Sequence, residues 1–295
     1  MPNLKEVRSR ITSVSSTQQI TSAMKMVSAS KLRRAQDAIT QMRPYASKLK
    51  EILENLSSSM ETSADNPYAK QPVVKNVLLV VITSNRGLCG AFNANVIKQA
   101  TKRAELTYAN CNVSVLCIGK KAADYFRKTR YGIIGQDLPR KLHELYDDLT
   151  FVNVFPVAEI IMNLFVTGEF DKVEIIYNQF KNAAVQVLTT EQFLPVKPLE
   201  VSESGNSFTS DYIFEPNKEF IVKELILKSL KTQLYKALLD SYAAEHGARM
   251  TAMHKATDNA GELLKSLRLT YNKARQAAIT NEILEIVGGA EALKS

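Results

Sequence analysis

The stretch Ser84 to Asn93, SNRGLCGAFN, comes nearest to a site for chemistry in this sequence. It follows the apolar run Val73 to Thr83 and precedes a predicted helix, which is where a nucleotide-binding α/β domain keeps its phosphate loop. Its glycines, Gly87 and Gly90, match neither G-x-G-x-x-G nor G-x-x-x-x-G-K-[ST], so amides that cradle a phosphate are not expected. We interpret the glycines as a tight turn between strand and helix, and we predict no cofactor.

The three cysteines do not indicate a disulfide framework, which favours the reducing cytoplasm. Cys111 and Cys117 fall near a predicted strand, where residues six apart are roughly 20 Å apart at about 3.3 Å per residue. A disulfide requires Cα atoms within about 7 Å, so we predict two buried side chains that do not pair. Cys89 follows the basic Arg86, and a reactive thiol is the alternative to the structural role that we prefer.

Histidine is also scarce, and His143, His246 and His254 are the complete set. His246 and His254 are eight residues apart on a predicted helix with no third ligand at helical spacing, so the sequence predicts no metal site. It contains no Ser/His/Asp or Cys/His arrangement for nucleophilic catalysis. We therefore predict a protein without catalytic residues of its own.

The longest predicted element is a C-terminal helix spanning residues 216–287, in which Pro216 suits the first turn and Gly288-Gly289 the C-cap. Its length of about 105 Å at 1.5 Å per residue exceeds the width of a globular domain of this size. Small side chains recur every four residues in its middle: Ala244, Ala248, Ala252, Ala256 and Ala260. Such a stripe lets another helix approach closely, so we predict a coiled-coil strand with Thr257 facing outward.

Residues 1–60 form the predicted partner helix, because apolar and small residues alternate there at spacings of three and four. The seam runs through Leu4, Val7, Ile11, Val14, Gln18, Thr21, Lys25, Ser28, Leu32, Ala35, Ile39, Met42, Ala46, Leu49, Leu53, Leu56 and Met60. At its polar centre the apolar residues shift to Ile20, Met24 and Val27. Pro44 is expected to kink this helix without ending it. A small-residue region in each helix predicts an antiparallel pair.

Residues 73–195 alternate predicted strands and helices, which is typical of an open, mostly parallel Rossmann-like α/β domain. The predicted strands are Val73 to Thr83, Val113 to Gly119, a short Tyr131 to Gly135, Lys172 to Phe180 and Ala183 to Leu194. The predicted helices are Asn93 to Ala109, Lys120 to Arg130 and Pro156 to Thr167. Lys181-Asn182 would turn the last two strands into an antiparallel hairpin. Residues 196–215 are polar with little pattern, and we predict a flexible linker or a flexible edge of the domain. The fold class is therefore α/β with a long antiparallel coiled coil.

The formal net charge of +8 is concentrated at the two ends of the chain. Residues 1–60 hold ten Lys and Arg against four Asp and Glu, whereas the middle is nearly neutral. A basic helix pair indicates acidic surroundings such as nucleic acid, anionic lipid or an acidic protein collar. A nucleic-acid tether and a Rossmann-like enzyme with a helical arm remain alternatives. No apolar run is long enough to span a membrane, and the N-terminus has no signal core.

Four segments together resemble the gamma subunit family of the F-type ATP synthase. They are ITSVSSTQQITSAMKMVSASKLRRAQ (Ile11 to Gln36), SNRGLCGAFN (Ser84 to Asn93), RMTAMHKATDNAGELL (Arg249 to Leu264) and KARQAAITNEILEIVGGA (Lys273 to Ala290). The last is the most specific, with Ile279-Thr280, Glu282, Glu285 and Gly289-Ala290 at that family's signature spacing. The resemblance covers nearly the whole chain and is weakest from about residue 135 to 215.

The resemblance implies a rotor without catalytic residues that turns inside a hexamer of alpha and beta subunits. Its foot, which is the α/β domain with the lower end of the helix pair, would bind the epsilon subunit and the membrane c ring. No nucleic acid is implied as a partner. Met24 and Lys25 would lie near an acidic loop of the beta subunits, and Arg275 and Gln276 where the upper shaft contacts the hexamer. The weaker candidates for this contact are Arg8, Arg33 and Arg34.

Two segments found in some relatives of that family are not expected in this chain, and this affects the predictions of redox control and of location. Chloroplast members carry an inserted segment with a dithiol pair, and this chain has no insert before the last helix, so redox control is not expected. A presequence is also absent, which leads us to expect a bacterial protein on the cytoplasmic face of the inner membrane.

Overall fold

The computed structural model describes residues 4–58, 67–69, 73–131, 142–196 and 218–292. It divides into two compact units. One contains residues 1–29 and 249–295, and the other contains residues 30–248. The first holds residues 4–29 of one long helix and 249–292 of another, and the second holds a sheet with its covering helices. Among the described residues, no helix combines the length and the apolar character needed to cross a bilayer.

Helix α1 runs from Leu4 to Ser58 and continues through Pro44, as predicted. Its buried side chains fall on the predicted heptad seam: Val7, Thr21, Ser28, Leu32, Ala35, Ile39 and Leu49. The predicted shift of the apolar seam at its centre is wrong, because Ile20 and Val27 are 60% and 58% exposed. The small polar residues Thr21 and Ser28 are buried there instead, which allows a neighbouring helix to approach closely.

Helix α5 runs from Lys218 to Ala292. The predicted C-cap at Gly288-Gly289 is wrong, because the helix continues through both residues. A Cβ atom at either glycine would meet no other atom within 4 Å, so no contact forces the backbone into the left-handed turn of a cap. A glycine costs an α-helix only about 1 kcal/mol relative to alanine, which does not by itself end a helix.

Four strands form one sheet in the order β2-β1-β3-β4. They are β1 (Asn76–Ile82), β2 (Asn112–Ile118), β3 (Lys172–Phe180) and β4 (Gln186–Leu194). Strand β1 pairs in parallel with β2 and β3, and β4 is antiparallel to β3. The side chains from Val77 to Ile82 are fully buried, as expected for a central parallel strand covered on both faces. The predicted open, mostly parallel α/β domain is confirmed.

Helices cover both faces of this sheet. Helices α2 (Phe92–Lys102) and α3 (Lys120–Phe126) pack on one face, and α4 (Phe151–Val166) with part of α5 packs on the other. Helix α2 ends in a π-helical turn, Arg103–Thr107, instead of continuing to Ala109. Helix α4 begins five residues before the predicted start, so Pro156 lies inside it.

The β3–β4 hairpin is longer at its turn than predicted, because β4 begins at Gln186 and not at Ala183. The side-chain oxygen of Asn182 accepts hydrogen bonds from the amides of Ala184 (3.0 Å) and Val185 (2.7 Å). This closes an Asx turn and keeps those residues out of the ladder. The predicted strand Tyr131–Gly135 lies outside the described residues apart from Tyr131, and the predicted linker 196–215 apart from Val196.

Candidate partner-binding surface

The loop after β1 is filled by its own side chains. The side-chain oxygen of Asn93 accepts a hydrogen bond from the amide of Ser84 at 2.9 Å, and its amino group donates to Ser84 Oγ at 2.8 Å. Leu88 and Gly90 adopt left-handed φ angles of 62° and 60°, which makes the turn tight. Cys89 is buried and packs with other side chains, as predicted for a structural role. The loop therefore resembles a strand-to-helix turn more than a phosphate cradle.

The other two cysteines are only half-buried, so the prediction that both are buried is wrong. Cys111 precedes β2, and its Sγ donates to the carbonyl of Val74 at 3.5 Å. Cys117 lies within β2, where burial raises the pKa of its thiol to about 12. That thiol carries almost no thiolate near neutral pH, and the thiolate is the reactive form.

The described ends of α1 and α5 pair antiparallel in the unit formed by residues 1–29 and 249–295. Thr257 Oγ1 donates a hydrogen bond to Thr21 Oγ1 at 2.8 Å. Lys25 Nζ lies 3.4 Å from His254 Nδ1. A Cβ atom on Gly261 would lie 3.1 Å from the side-chain nitrogen of Gln18. The residue numbers in each pair add to 278 or 279, so Leu4 lies level with Ala274 or Arg275.

The predicted outward orientation of Thr257 is wrong, because its hydroxyl contacts Thr21. The side chains of α5 that are most buried in this unit are Arg249, Met253, Ala260 and Leu264. Their spacing of four, seven and four residues places position 257 on the same face. The alanine stripe is therefore one margin of the contact. Ala260 is buried, and Ala252 and Ala256 are half-buried.

The part of α5 beyond about Arg275 continues past the level at which described α1 begins. Every residue from Ala278 to Ala290 is exposed. Large apolar side chains are among them, each between 48% and 67% exposed: Ile279, Ile283, Leu284, Ile286 and Val287. Exposed apolar groups this dense on one segment mark a surface that another molecule covers. We name this segment, residues 276–292, the free end.

The six predicted contact residues do not form one cluster. Met24 and Lys25 are half-buried, near the level of His254. Arg8, Arg275 and Gln276 are exposed near the opposite end of the helix pair, where Arg8 is about 25 Å from Lys25 along α1 at 1.5 Å per residue. Arg33 is exposed but belongs to the unit of residues 30–248, as does the weaker candidate Arg34.

The predicted contacts did not include the exposed apolar residues Ile20, Met26 and Val27 of α1. The sequence contained a signal for them, because none lies on the heptad seam and each therefore faces away from the helix partner. The described part of the chain contains no group of three or more His, Cys, Asp or Glu side chains that could hold a metal ion.

The ATP synthase family model matches residues 3–293 of the chain. A curated relative, the ATP synthase gamma chain of Flavobacterium psychrophilum, is 63% identical over 294 residues, which cover 100% of both chains. The gamma chain of Flavobacterium johnsoniae is 62% identical over 297 residues and 99% of each chain. The chain belongs to the ATP synthase gamma-chain family. It is a gamma subunit of an F-type ATP synthase, and so a component of a larger complex.

The fold agrees with that membership. A chain of the Euglena gracilis mitochondrial ATP synthase, solved as OSCP, F1 and c-ring, superposes with a TM-score of 0.65. The match covers 98% of this chain and 94% of that one at 22% sequence identity. The two long helices and the central sheet are thus the architecture of an ATP synthase central stalk.

Proposed function

We propose that this gamma chain is the rotating, non-catalytic shaft that couples proton-driven rotation of a membrane c ring to ATP synthesis in a hexamer of alpha and beta subunits. The observation that carries the proposal is the free end of α5. It is helical through Ala292, every residue from Ala278 to Ala290 is exposed, and no described part of the chain covers its apolar side chains. An apolar inner surface of a surrounding ring of subunits would bury these side chains.

The second part of the proposal concerns the side chains of the helix pair that would contact the hexamer. Met24, Lys25, Arg275 and Gln276 would contact the hexamer, with Arg8 and Arg33 in supporting positions. The two groups lie at different levels of the helix pair, so they would meet different parts of the ring. Each exposed charge would adjust the strength of this contact but would not be essential to it, since an exposed ion pair contributes about 0–1 kcal/mol.

The remaining partners follow from family membership. The epsilon subunit and the c ring would bind the foot of the chain, and the assembly would be peripheral to the cytoplasmic face of a bacterial inner membrane. The loop at Ser84 to Asn93 is filled by its own side chains, which supports a role without nucleotide chemistry.

Reconstitution tests this function. The chain is mixed with alpha and beta subunits from Flavobacterium psychrophilum, and a bead on the foot reports rotation while ATP is hydrolysed. We expect the purified chain alone to hydrolyse no ATP, and the mixture to show ATP-dependent rotation of the bead. ATPase activity that stays with the isolated chain through purification would contradict the non-catalytic role. A stable complex that hydrolyses ATP with a stationary bead would contradict the role as a shaft.

A further inference from the structure

A cavity of about 340 Å³ opens between α1, the end of β3 and α5, all within residues 30–248. Its volume lies at the small end of the range for sites that bind small molecules. Ile39, Met42 and Phe180 give the cavity an apolar wall. Arg43, Lys236 and Asp240 bring charge to the same space. An apolar wall beside a few convergent polar groups is the usual composition of a ligand site.

Asp240 is the unusual member of this set. Its residue is only 4% exposed, yet its side chain lines the cavity. Within the described part of the chain, its carboxyl group makes neither a hydrogen bond nor an ion pair. Its oxygens are not among the fully enclosed, unpartnered polar atoms of the described residues, so they reach the open space of the cavity. A bound molecule there would complete the hydrogen bonding of the carboxyl group.

Two cations lie near this carboxyl group. Arg43 on α1 and Lys236 on α5 both favour its ionised form, although neither is close enough to form an ion pair with it. Among the described residues, neither cation has another ion-pair partner. Glu191 on β4 is a second acidic group that acts on Asp240. With Glu191 counted, the net charge of these four groups is zero when Asp240 is ionised and +1 when it is protonated. The cavity therefore attracts anions when Asp240 is protonated.

We propose that this cavity binds an organic monoanion with an apolar body, in the class of alkyl carboxylates and alkyl sulfonates. The anionic head lies between Arg43 and Lys236 and accepts a hydrogen bond from protonated Asp240, and the apolar body covers Ile39, Met42 and Phe180. The inference is independent of the proposed rotary function, because it rests only on the cavity and its lining.

This arrangement makes binding depend on pH. Burial raises the pKa of Asp240 to about 6, Lys236 and Arg43 lower it in part, and Glu191 on β4 raises it further. An ionised Asp240 repels the anionic head, whereas a protonated one donates to it. For a pKa of about 6, the protonated fraction increases more than tenfold between pH 7.5 and pH 5.5. Affinity for the anion is therefore expected to increase as the pH falls through 6.

The test uses the full chain with ¹³C-methyl methionine and titrates it with octanesulfonate, which stays anionic throughout this pH range. We expect the Met42 methyl signal to shift and saturate, with about tenfold tighter binding at pH 5.5 than at pH 7.5. Asp240→Asn keeps the side-chain shape and provides a donor at every pH. It should bind at pH 7.5 as tightly as the unchanged protein does at pH 5.5, and should lose the pH dependence.

Arg43→Gln should weaken binding at least tenfold, whereas the matched control Arg34→Gln, an exposed arginine on the same helix, should leave it unchanged. The Met162 methyl signal, which comes from a buried residue of the same unit, shows that each variant is folded. A Met42 signal that octanesulfonate does not move would overturn the proposal. So would octylammonium binding as tightly as octanesulfonate, or an Asp240→Asn variant that keeps the pH dependence.

Discussion

Lys25 is half-buried and lies beside His254 on the paired helix, 3.4 Å away. His254 in turn lies 3.4 Å from Asp258, and both of those side chains are more than half exposed. The position of the Lys25 ammonium is therefore set partly within the helix pair and not only by a partner subunit. This is the residue at which an electrostatic contact with the hexamer can be tested most directly.

Replacing Lys25 with alanine should change coupling without stopping rotation, because one partly exposed charge contributes only about 0–1 kcal/mol. We expect a changed ATPase rate and a weaker dependence of that rate on salt in the reconstituted complex. Lys31→Ala, which removes an exposed lysine of the same helix, is the matched control. If Lys25→Ala and Lys31→Ala both behave like the unchanged protein, the contact lies elsewhere.

Asp240→Asn should stabilise the isolated chain above pH 6. The pKa of Asp240 is raised by burial from 3.8 to about 6, so the folded state holds this proton more tightly than the unfolded state. The free energy of unfolding therefore falls as the pH rises from about 4 to 6, and the loss stays in place above pH 6. Removing the ionisation should recover about 1–3 kcal/mol at pH 8 and little at pH 4. Urea denaturation at both pH values measures this, and an equal effect at both would show that Asp240 titrates normally.

Single-residue environments were the part least accessible from the sequence. Glu174 lies in a strand of otherwise apolar pattern, and it is buried because Tyr108 donates a hydrogen bond to it at 2.6 Å. Lys172 and Arg103 lie 3.4 and 3.6 Å from the same carboxylate. These three partners, up to 71 residues away in sequence, surround the buried carboxylate. The local sequence pattern around Glu174 does not predict them. The cavity at Asp240 was missed for the same reason.

Two glycines of α5 offer a matched comparison at the scale of the helix. At Gly247 a Cβ atom would lie 3.1 Å from the carbonyl oxygen of Ala183 and 3.2 Å from its Cα, both backbone atoms. At Gly261 it would meet only the side-chain nitrogen of Gln18, at 3.1 Å, which is the end of a flexible side chain. Both substitutions to alanine gain the same helix propensity, so the difference between them reports on the neighbour.

We expect Gly261→Ala to raise the stability of the chain by about 0.5–1 kcal/mol, since helix propensity favours alanine and Gln18 can move. Gly247→Ala should lower it, because the hairpin backbone must shift to make room for the methyl group. Thermal denaturation of both variants measures the difference. A stabilising effect at Gly247 would mean that the hairpin lies farther from α5 than the structure places it.

Ala256→Leu should force the paired ends of α1 and α5 apart, because Ala256 is half-buried on the margin of their contact. Overpacking of this kind costs about 1–3 kcal/mol. The sheet domain should stay folded, whereas assembly or proton-coupled ATP synthesis in membrane vesicles should decrease. Asn259→Leu is the control, since position 259 is exposed on the same turn of helix. Thr257 is unsuitable as a control because its hydroxyl contacts Thr21. Equal ATP synthesis by the two variants would mean that Ala256 does not face α1.

Helices and strands were largely predictable because their patterns repeat. The heptad seam of α1 and the apolar run of β1 each extend over several turns or pairs, so one exception does not hide them. The ends were harder to predict. The α5 helix passes Gly288-Gly289, and α4 begins before Pro156. A single glycine or proline changes the local free energy by only about 1–3 kcal/mol, which the rest of a long helix offsets.

Loss of the free end should weaken the binding of partner subunits and leave the stability of the isolated chain unchanged. A stop after Ala277 removes residues that are exposed wherever the structure describes them, so the isolated chain should unfold at an unchanged temperature. The truncated chain should dissociate faster from the alpha and beta subunits, because an apolar contact with them is lost. Leu264→Ala removes a buried side chain from the helix pair and should lower the unfolding temperature instead. A truncated chain that is itself less stable would show that the free end packs on the chain.

The Thr21–Thr257 contact has a consequence for synthesis of the protein. These two residues are 236 positions apart. At about 5–20 residues per second, Thr21 leaves the ribosome roughly 12–47 s before Thr257 is made. During that interval the seam of the first helix has no helical partner, while the strands of the sheet are completed in between. The nascent chain therefore exposes an unpaired amphipathic helix for many seconds, and a chaperone that binds such helices would have its longest opportunity there.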